Sequence, residues 1–591
     1  MNNKEHENIW ILTFEFEGVI KLGGLGEVPA NQVKSLSDKF DFTVFMPSHG
    51  QVKRLKEQKK FIKLPFTSTG DLDLTSIGEP EIKDIYLLGF YKFNFEGYHV
   101  ILINGENTFS ERYLNDSSVY NPETFRIKQI LYTLGIKAYI THILKESPAM
   151  VPSLVHSHDY HVVPSYIALK QALLKKQKDI SSIFTLHLLT WPRYELKFVK
   201  ACGIDETPIT IRFKDGIQRL TIEDIYEVCN DTKKNGENRP PSMERIGAVV
   251  NDLVISVSKS YLNSTIIPKF GEDLIKFKTD YVWNGCDWDY HVIYQDVIES
   301  LGSEIRNVLD ISENSKISRK QLKEYLLTYK IGNLGQSPLI NSEIIIKTIN
   351  EISQGNIFIR NGIITPFGEV GPLAISTGRI TRQKGFETIF EALPKIINVI
   401  PNVKFLLLIL PTEYSLSQIK EYAQYVKQYH HNLRIIFGIA PSIFHLAHIS
   451  ADVYCALSRW EPFGIIALEA MASKLPVLAT KVGGLQETVV DIRDDLDAGT
   501  GMLIEADNLS DFSKSVISLL KAAECSEMND ENDQEKNNII QEIPDPYIKK
   551  IISKDPSYYS KLRENCYKRV ENNFRWEEVS KKLLKLYRSL L

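Results

Sequence analysis

The stretch from Ser458 to Ala472, Ser-Arg-Trp-Glu-Pro-Phe-Gly-Ile-Ile-Ala-Leu-Glu-Ala-Met-Ala, constrains the fold more than any other. It follows a short apolar run, Asp452 to Leu457, which predicts a parallel strand buried on both faces. It leads into a segment rich in Ala, Leu and Ile that predicts a buried helix. Glu461-Pro462-Phe463-Gly464 makes the turn between them. A helix starting at the carboxyl end of a parallel strand offers free N–H groups and the positive end of its dipole, both suited to a phosphate. That puts the amides around Gly464 and Ile465 at an anion site. Glu461 lies in the loop, and Glu469 lies more than a turn into the helix on a mostly apolar surface. A carboxylate there needs a partner, either a ligand or a nearby Arg or Lys.

The spacing of the two carboxylates, Glu-x7-Glu, resembles the donor-binding motif of retaining glycosyltransferases built from two facing Rossmann domains, the GT-B fold. The remaining motifs extend the resemblance. An apolar strand over Ile9–Phe16 precedes Lys21-Leu22-Gly23-Gly24-Leu25-Gly26, and a helix is predicted from about Glu27 to Ser37. A glycine-rich strand-to-helix turn is where phosphates bind. The Gly-Lys-Ser/Thr ending of a P-loop is absent, and the glycine spacing is not that of the dinucleotide fingerprint. The string Lys-x-Gly-Gly-Leu-Gly is similar to the N-terminal signature of glycogen and starch synthases. That resemblance places Lys21, Gly23 and Gly24 beside a nucleotide sugar.

Further along, Leu154-Val155-His156 leads into Ser157-His158-Asp159-Tyr160-His161. Three histidines and an aspartate so close together admit a metal site. The resemblance offers another reading: synthases carry His-Asp-Trp-His here, with Tyr160 in place of Trp and the aspartate toward the donor. The strand Ser181–Leu186 ends on His187, at the tip of a parallel strand where a histidine can face a ligand. The family pattern Thr-x-His-Asn has Leu188 in the place of its Asn. Val257, Ser258 and Tyr261, and then Asn284-Gly285-Cys286-Asp287-Trp288-Asp289, also match synthases. The last contains Asp-x-Asp, a metal motif in a different glycosyltransferase fold. In a turn between domains it reads better as a structural turn.

A second series of strands and helices begins near Pro372, with strands expected at 403–410, 433–438, 452–457, 476–481 and 500–504. Its first turn, Gly378-Arg379-Ile380-Thr381-Arg382-Gln383-Lys384-Gly385, gathers cations where an anion clamp would sit. The string resembles the synthase Gly-Arg-Leu-Thr-x-Gln-Lys-Gly pattern, whose Arg and Lys hold a diphosphate; Arg379 and Lys384 take those places. The segment Val482–Val489 matches the one after the family's glutamate motif. Phe463 and Glu469 resemble the wider Glu-x7-Glu group and archaeal-type synthases more than bacterial ones, which read Glu-Pro-Cys-Gly.

The expected fold is therefore α/β, two facing Rossmann-like domains with a deep cleft. The expected boundaries are 1–290 on the acceptor side, 291–555 on the nucleotide-sugar side, and 556–591 as a helix returning to the first domain. Insertions are expected at about 200–245, as an insert or mobile flap, and at about 333–370. A charged, disordered or looped insert is expected at about 524–541. The implied activity is transfer of glucose from ADP-glucose or UDP-glucose to the non-reducing end of an α-1,4-glucan, with retention. A small acceptor, or a non-catalytic glucan-binding protein, is the alternative. The resemblance makes Glu461, His187, Arg379, Lys384 and Asp159 catalytic. It makes Lys21, Gly23, Gly24, Phe463, Gly464, Ile465 and Glu469 donor-binding, with no metal or other cofactor. A net charge of −4 argues against a nucleic-acid partner. Six scattered cysteines without a CxxC pair suit a reducing, cytoplasmic setting. With no run of 18 apolar residues, no membrane partner is expected.

Overall fold

The computed structural model describes residues 7–77, 82–230, 239–359, 364–528 and 533–591. The chain divides into two units, residues 1–284 with 576–591, and residues 285–575.

In the first unit, β1 (Asn8–Leu12), β2 (Asp41–Pro47), β3 (Phe61–Asp73), β4 (Lys83–Phe95), β5 (Tyr98–Gly105), β6 (Leu154–His158) and β7 (Ser181–Leu186) are followed by a hairpin, β8 (Ile209–Phe213) with β9 (Gly216–Leu220). Then come β10 (Leu253–Ser256) and β11 (Thr279–Tyr281). Nine of these form one sheet in the order β11-β10-β7-β6-β1-β2-β5-β4-β3. The strands from β11 to β5 pair in parallel, and β5-β4-β3 is an antiparallel edge. The inner strands are buried on both faces, which is why they read as continuous apolar runs. β3 is largely exposed on the edge and carries Lys63 and Pro65, which discourage further pairing. The order reverses between β1 and β6, so the turn after β1 and the His158-Asp159 turn after β6 share one end of the sheet.

In the second unit, β12 (Leu373–Arg379), β13 (Lys404–Leu410), β14 (Leu433–Phe437), β15 (Val453–Ala456), β16 (Val477–Thr480) and β17 (Gly501–Ile504) form an all-parallel sheet in the order β14-β13-β12-β15-β16-β17. That is the 3-2-1-4-5-6 order of a dinucleotide-binding fold, with its switch point between β12 and β15. Buried Asp452 ties these two strands together. It accepts the Leu373 N–H at 2.8 Å and pairs with Lys323 at 2.9 Å and Arg563 at 3.1 Å.

The three segments expected as inserts carry secondary structure in their described parts. Residues 200–230 form the β8–β9 hairpin and a helix at Ile222–Val228 whose Thr221 makes a capping box; Ile209, Ile211, Ile222 and Ile225 are buried. Part of that expected flap, 231–238, lies outside the described residues. Within 333–370 a helix spans Glu343–Ser353 and buries Ile345 and Ile349; 360–363 lie outside the described residues. The charged stretch at 524–541, expected to be disordered or looped, holds the end of the helix Leu509–Ser526 and the helix Asp533–Gln541, with 529–532 outside the described residues. Ile539 and Ile540 in the second helix, and Ile543 just after it, are buried, so a few apolar side chains outweigh the charged composition.

The expected C-terminal element is two helices. Tyr558–Asn573 belongs to the second unit and Trp576–Leu590 to the first. The break is held within the second unit by the Cys286 N–H donating to the Phe574 carbonyl at 2.7 Å and by Arg575 on Asp289 at 3.2 Å. Leu583 and Tyr587 pack with Ile9, Phe40 and Phe42 beneath the first sheet.

Candidate active site

The two loops at the switch point of the second unit lie side by side. The loop after β12 ends in a short turn at Arg382–Lys384, and the loop after β15 carries Ser458 to Gly464. They are stitched together by the Arg459 N–H on the Gln383 carbonyl at 2.7 Å and by the Gln383 amide on the Trp460 carbonyl at 2.9 Å. Arg459, named in the sequence only as part of the motif, is structural. It grips Asp507 at 2.8 Å and Glu387 at 3.2 Å.

Within this frame the Lys384 ammonium sits 2.7 Å from Oε2 of Glu461, which also accepts the Ser458 hydroxyl at 3.0 Å. The two side chains are 17% and 11% exposed, so the pair is close to buried yet still reachable. Glycines let the loop pack this tightly. Gly464 has φ +93°, and a Cβ there would lie 2.6 Å from Leu485 Cδ2; one on Gly483, φ +45°, would lie 1.7 Å from the Glu461 carbonyl oxygen. The helix Ile465–Ala472 begins directly after Gly464 without a side-chain cap, leaving its first N–H groups available.

The other residues expected in this unit take different positions. Arg379 ends β12, exposed, with no side-chain hydrogen bond or ion pair among the described residues. Glu469 is half-buried on the helix; burial and then the charge of Glu469 push the Tyr454 hydroxyl up. The Phe463 side chain is 2% exposed and packs toward Phe574 at 6.1 Å, so only its backbone can meet a ligand. Asp289 caps the helix Tyr290–Leu309, accepting the His291 and Val292 N–H groups at 2.8 and 3.1 Å. Those bonds use Oδ1, Oδ2 is taken by the Tyr567 hydroxyl and Arg575, and Asp287 is exposed.

In the first unit, the glycine-rich turn is already occupied. Glu15, 2% exposed, accepts the Leu22 N–H at 2.6 Å and the Gly23 N–H at 3.1 Å through Oε2, and the Tyr120 hydroxyl at 2.6 Å through Oε1. The amide of Gly23, one of the expected donor-binding residues, and that of its neighbour Leu22 are thus satisfied by the chain's own carboxylate. What the turn presents outward is exposed Gly24 and Lys21, which bridges Glu27 at 2.8 Å and Glu17 at 3.3 Å. Burial works against the Lys21 ammonium, but the bonds to Glu27 and Glu17 outweigh it and hold Lys21 above its usual range. Glu15 was not singled out from the sequence. The available signal was an acid in the apolar stretch just before a glycine-rich turn.

After β6, Asp159 has φ +59°, uncommon outside glycine, and is buried. Its Oδ1 accepts the His187 N–H at 2.8 Å, so it clamps the ends of β6 and β7 together. Burial first, then the charges of Glu244 and Glu15, push its carboxyl up to about 8. His187 is 9% exposed, and burial lowers it to about 3, so it is neutral. The neighbouring histidines bond to protein groups: His156 to the Tyr587 hydroxyl at 2.8 Å and Thr185 at 2.7 Å, and His158 to His187 at 3.0 Å. No group of three or more His, Cys, Asp or Glu among the described residues is arranged to hold a metal ion.

Comparison with known proteins places both units. The starch synthase catalytic domain family model matches residues 8–277, and the group 1 glycosyl transferase model matches residues 364–537. A glycogen synthase of Hydrogenobaculum sp. is 22% identical over 85% of this chain and 88% of its own length. One of Desulfitobacterium hafniense is 21% identical over 80% and 83%. A probable glycogen synthase of Methanocaldococcus jannaschii is 28% identical over 35% of this chain, and the match spans only 39% of that relative. Among solved structures, the catalytic domain of starch synthase IV from Arabidopsis thaliana, bound to ADP and acarbose, superposes with a TM-score of 0.60 at 16% identity, over 96% of this chain and all of that one. Sucrose-phosphate synthase from Thermosynechococcus elongatus gives 0.50 at 15% identity, over 99% of both chains. With the two family models in succession along two Rossmann-like units, the chain belongs to the glycogen/starch synthase family of retaining glycosyltransferases and has the GT-B fold.

Proposed function

We propose that the protein transfers glucose from ADP-glucose or UDP-glucose to the non-reducing end of an α-1,4-glucan, with retention at the anomeric carbon. The observation that carries this reading is the Lys384–Glu461 pair beside an uncapped helix N-terminus at the switch point of the second unit. A cation and free amides suit a diphosphate, and the carboxylate suits sugar hydroxyls. The second unit supplies the donor side. Arg379, Lys384 and the amides at Gly464 and Ile465 stabilise the charge that grows on the departing diphosphate. Glu461 accepts from the glucose hydroxyls, and Glu469 from the ribose. Phe463 contributes backbone alone. The first unit supplies the acceptor side, with Lys21, Gly23 and Gly24 toward the donor. His187 meets the reacting sugar, and Asp159 holds the His187 backbone in place.

In the step itself, the bond from C1 of glucose to the phosphate oxygen breaks. The acceptor's 4-oxygen bonds to the same face of C1, and its proton passes to the leaving phosphate. The ammonium, guanidinium and amides carry the charge, so no metal is required. All six cysteines are free and buried, which suits a cytoplasmic protein with reduced thiols. No described helix is long and apolar enough to cross a membrane.

The test is a panel of ADP-, UDP- and GDP-glucose against glycogen, maltooligosaccharides and small acceptors, with and without EDTA. Label entering glycogen, released by an α-1,4-specific amylase and unaffected by EDTA, is the expected result. Label appearing only in a small acceptor transfers the protein to a different glycosyl transfer, and glucan binding without turnover makes it a binding protein. A loss on chelation restored by magnesium or manganese refutes the metal-free step.

A further inference from the structure

Four histidines of the first unit, His156, His158, His161 and His187, are all buried at the ends of β6 and β7. His158 Nδ1 lies 3.0 Å from His187 Nε2, with the two rings stacked 24° apart in plane. The His156 ring lies 4.2 Å from that of His158 and is fixed at both nitrogens, by Tyr587 of the C-terminal helix and by Thr185. His158 Nε2 is buried and has no hydrogen-bond partner among the described residues. His187 Nδ1 also makes no hydrogen bond to them but, unlike His158 Nε2, is not sealed from solvent.

Burial holds both rings neutral, His187 down to about 3 and His158 well below its usual range. A neutral pair places one proton in the 3.0 Å contact, which leaves two arrangements. If His187 Nε2–H donates, His158 must carry its own proton on Nε2, a buried N–H with no acceptor. If His158 Nδ1–H donates, the unpartnered atom is a lone pair, and the His187 proton resides on Nδ1. Orphaned buried N–H groups are rarer than under-satisfied acceptors, because an unpaired donor forfeits its full hydration. The second arrangement therefore prevails.

We propose that His158 is a positioning residue that fixes the tautomer of His187, so that His187 presents an Nδ1–H donor rather than a basic lone pair. The catalytic consequence rests on the function proposed above. A neutral donor can hold a sugar oxygen as charge shifts at C1, but it cannot take the acceptor's proton. That proton is left to the leaving phosphate.

The full chain labelled with 15N-histidine reports the tautomer directly, through long-range proton–nitrogen correlations, with His187 assigned from a His187→Gln spectrum. A protonated Nδ1 and bare Nε2 at His187 are expected; the reverse pattern overturns the proposal. Two variants separate orientation from packing. His158→Leu removes the donor. His158→Asn keeps an N–H close to the Nδ1 position. Loss of a group that orients a working imidazole costs about 10–100-fold, so His158→Leu should lose that much kcat with donor KM little changed. His158→Asn should recover most of it and keep the wild-type His187 tautomer. Wild-type kcat in a folded His158→Leu overturns the proposal. If His158→Leu does not fold, the wild-type and His158→Asn spectra still decide it. If the wild type transfers no glucose from any donor, the proposed function fails, while the spectrum still settles the tautomer.

Discussion

Glu461→Gln should tighten the grip on free nucleoside diphosphate while slowing catalysis. The Glu461 carboxylate holds Lys384 at 2.7 Å, with both side chains mostly withdrawn from water. A diphosphate must compete with that carboxylate for the ammonium, and must also approach a negative charge. Two unit charges about 4 Å apart interact by about 4 kcal/mol at an effective dielectric near 20. Partial exposure and the hydration Lys384 regains when released cancel much of this, leaving about 1–2 kcal/mol. That corresponds to about 5–30-fold in Kd. Gln keeps the size of Glu461 and the Ser458 hydrogen bond without the charge. Calorimetric titration with ADP and UDP at one fixed ionic strength should show the tightening. In a Lys384→Ala background the same substitution should gain much less, because the ammonium it would release is gone. Turnover should move the other way, with Glu461→Gln lowering kcat and Lys384→Ala lowering it by roughly 10²–10³-fold, as for loss of one donor to developing charge. Unchanged or weaker diphosphate binding by Glu461→Gln would refute the competition. Near-normal turnover in Lys384→Ala would remove Lys384 from the diphosphate.

Arg379→Ala should lower kcat by a similar roughly 10²–10³-fold and leave thermal stability within about 0.5 kcal/mol, since the guanidinium is exposed and unpaired among the described residues; a loss of stability matching the loss of activity would make it structural. Glu469→Ala should raise KM for the nucleotide sugar and weaken the free nucleotide with little change in kcat, because the ribose does not react; normal nucleotide binding by the folded variant would refute that role. Stability should depend on pH from two sides, measured as the urea midpoint of the first unit. Asp159, raised to about 8 when folded, binds a proton that the unfolded chain releases near 4, so its contribution is full below that and fades as pH rises toward 8. Asp159→Asn should flatten this fall, and an unchanged slope would show the carboxyl ionised in the folded protein. His49, His156, His161 and His187 are each lowered to about 3, so their contribution is full above about 6.5 and is lost as pH falls below it. A midpoint that holds steady from pH 6.5 to 4 would contradict their burial as neutral rings.

The sequence by itself determined the two series of buried strands and the position of the loops that end them. β13 reads Lys-Phe-Leu-Leu-Leu-Ile-Leu because both of its faces are covered, and such a run signals a parallel strand without reference to any partner. Glu461, Gly464 and the helix after them were legible for the same reason, since strand, turn and helix chemistry all act over a few residues. Tertiary structure alone decided which groups meet. Lys384 finds Glu461 only because strand order places β12 beside β15, 77 residues apart in the chain. Glu15 accepts the amides of Leu22 and Gly23 and so braces the glycine-rich turn from within. Phe463 turns inward, and buried isoleucines in and just after a charged helix anchor it. His158 reaches His187 across two parallel strands. Patterning is a short-range property of the chain. A hydrogen bond between distant side chains exists only once packing has brought them within 3 Å and shut out the water that would otherwise satisfy them.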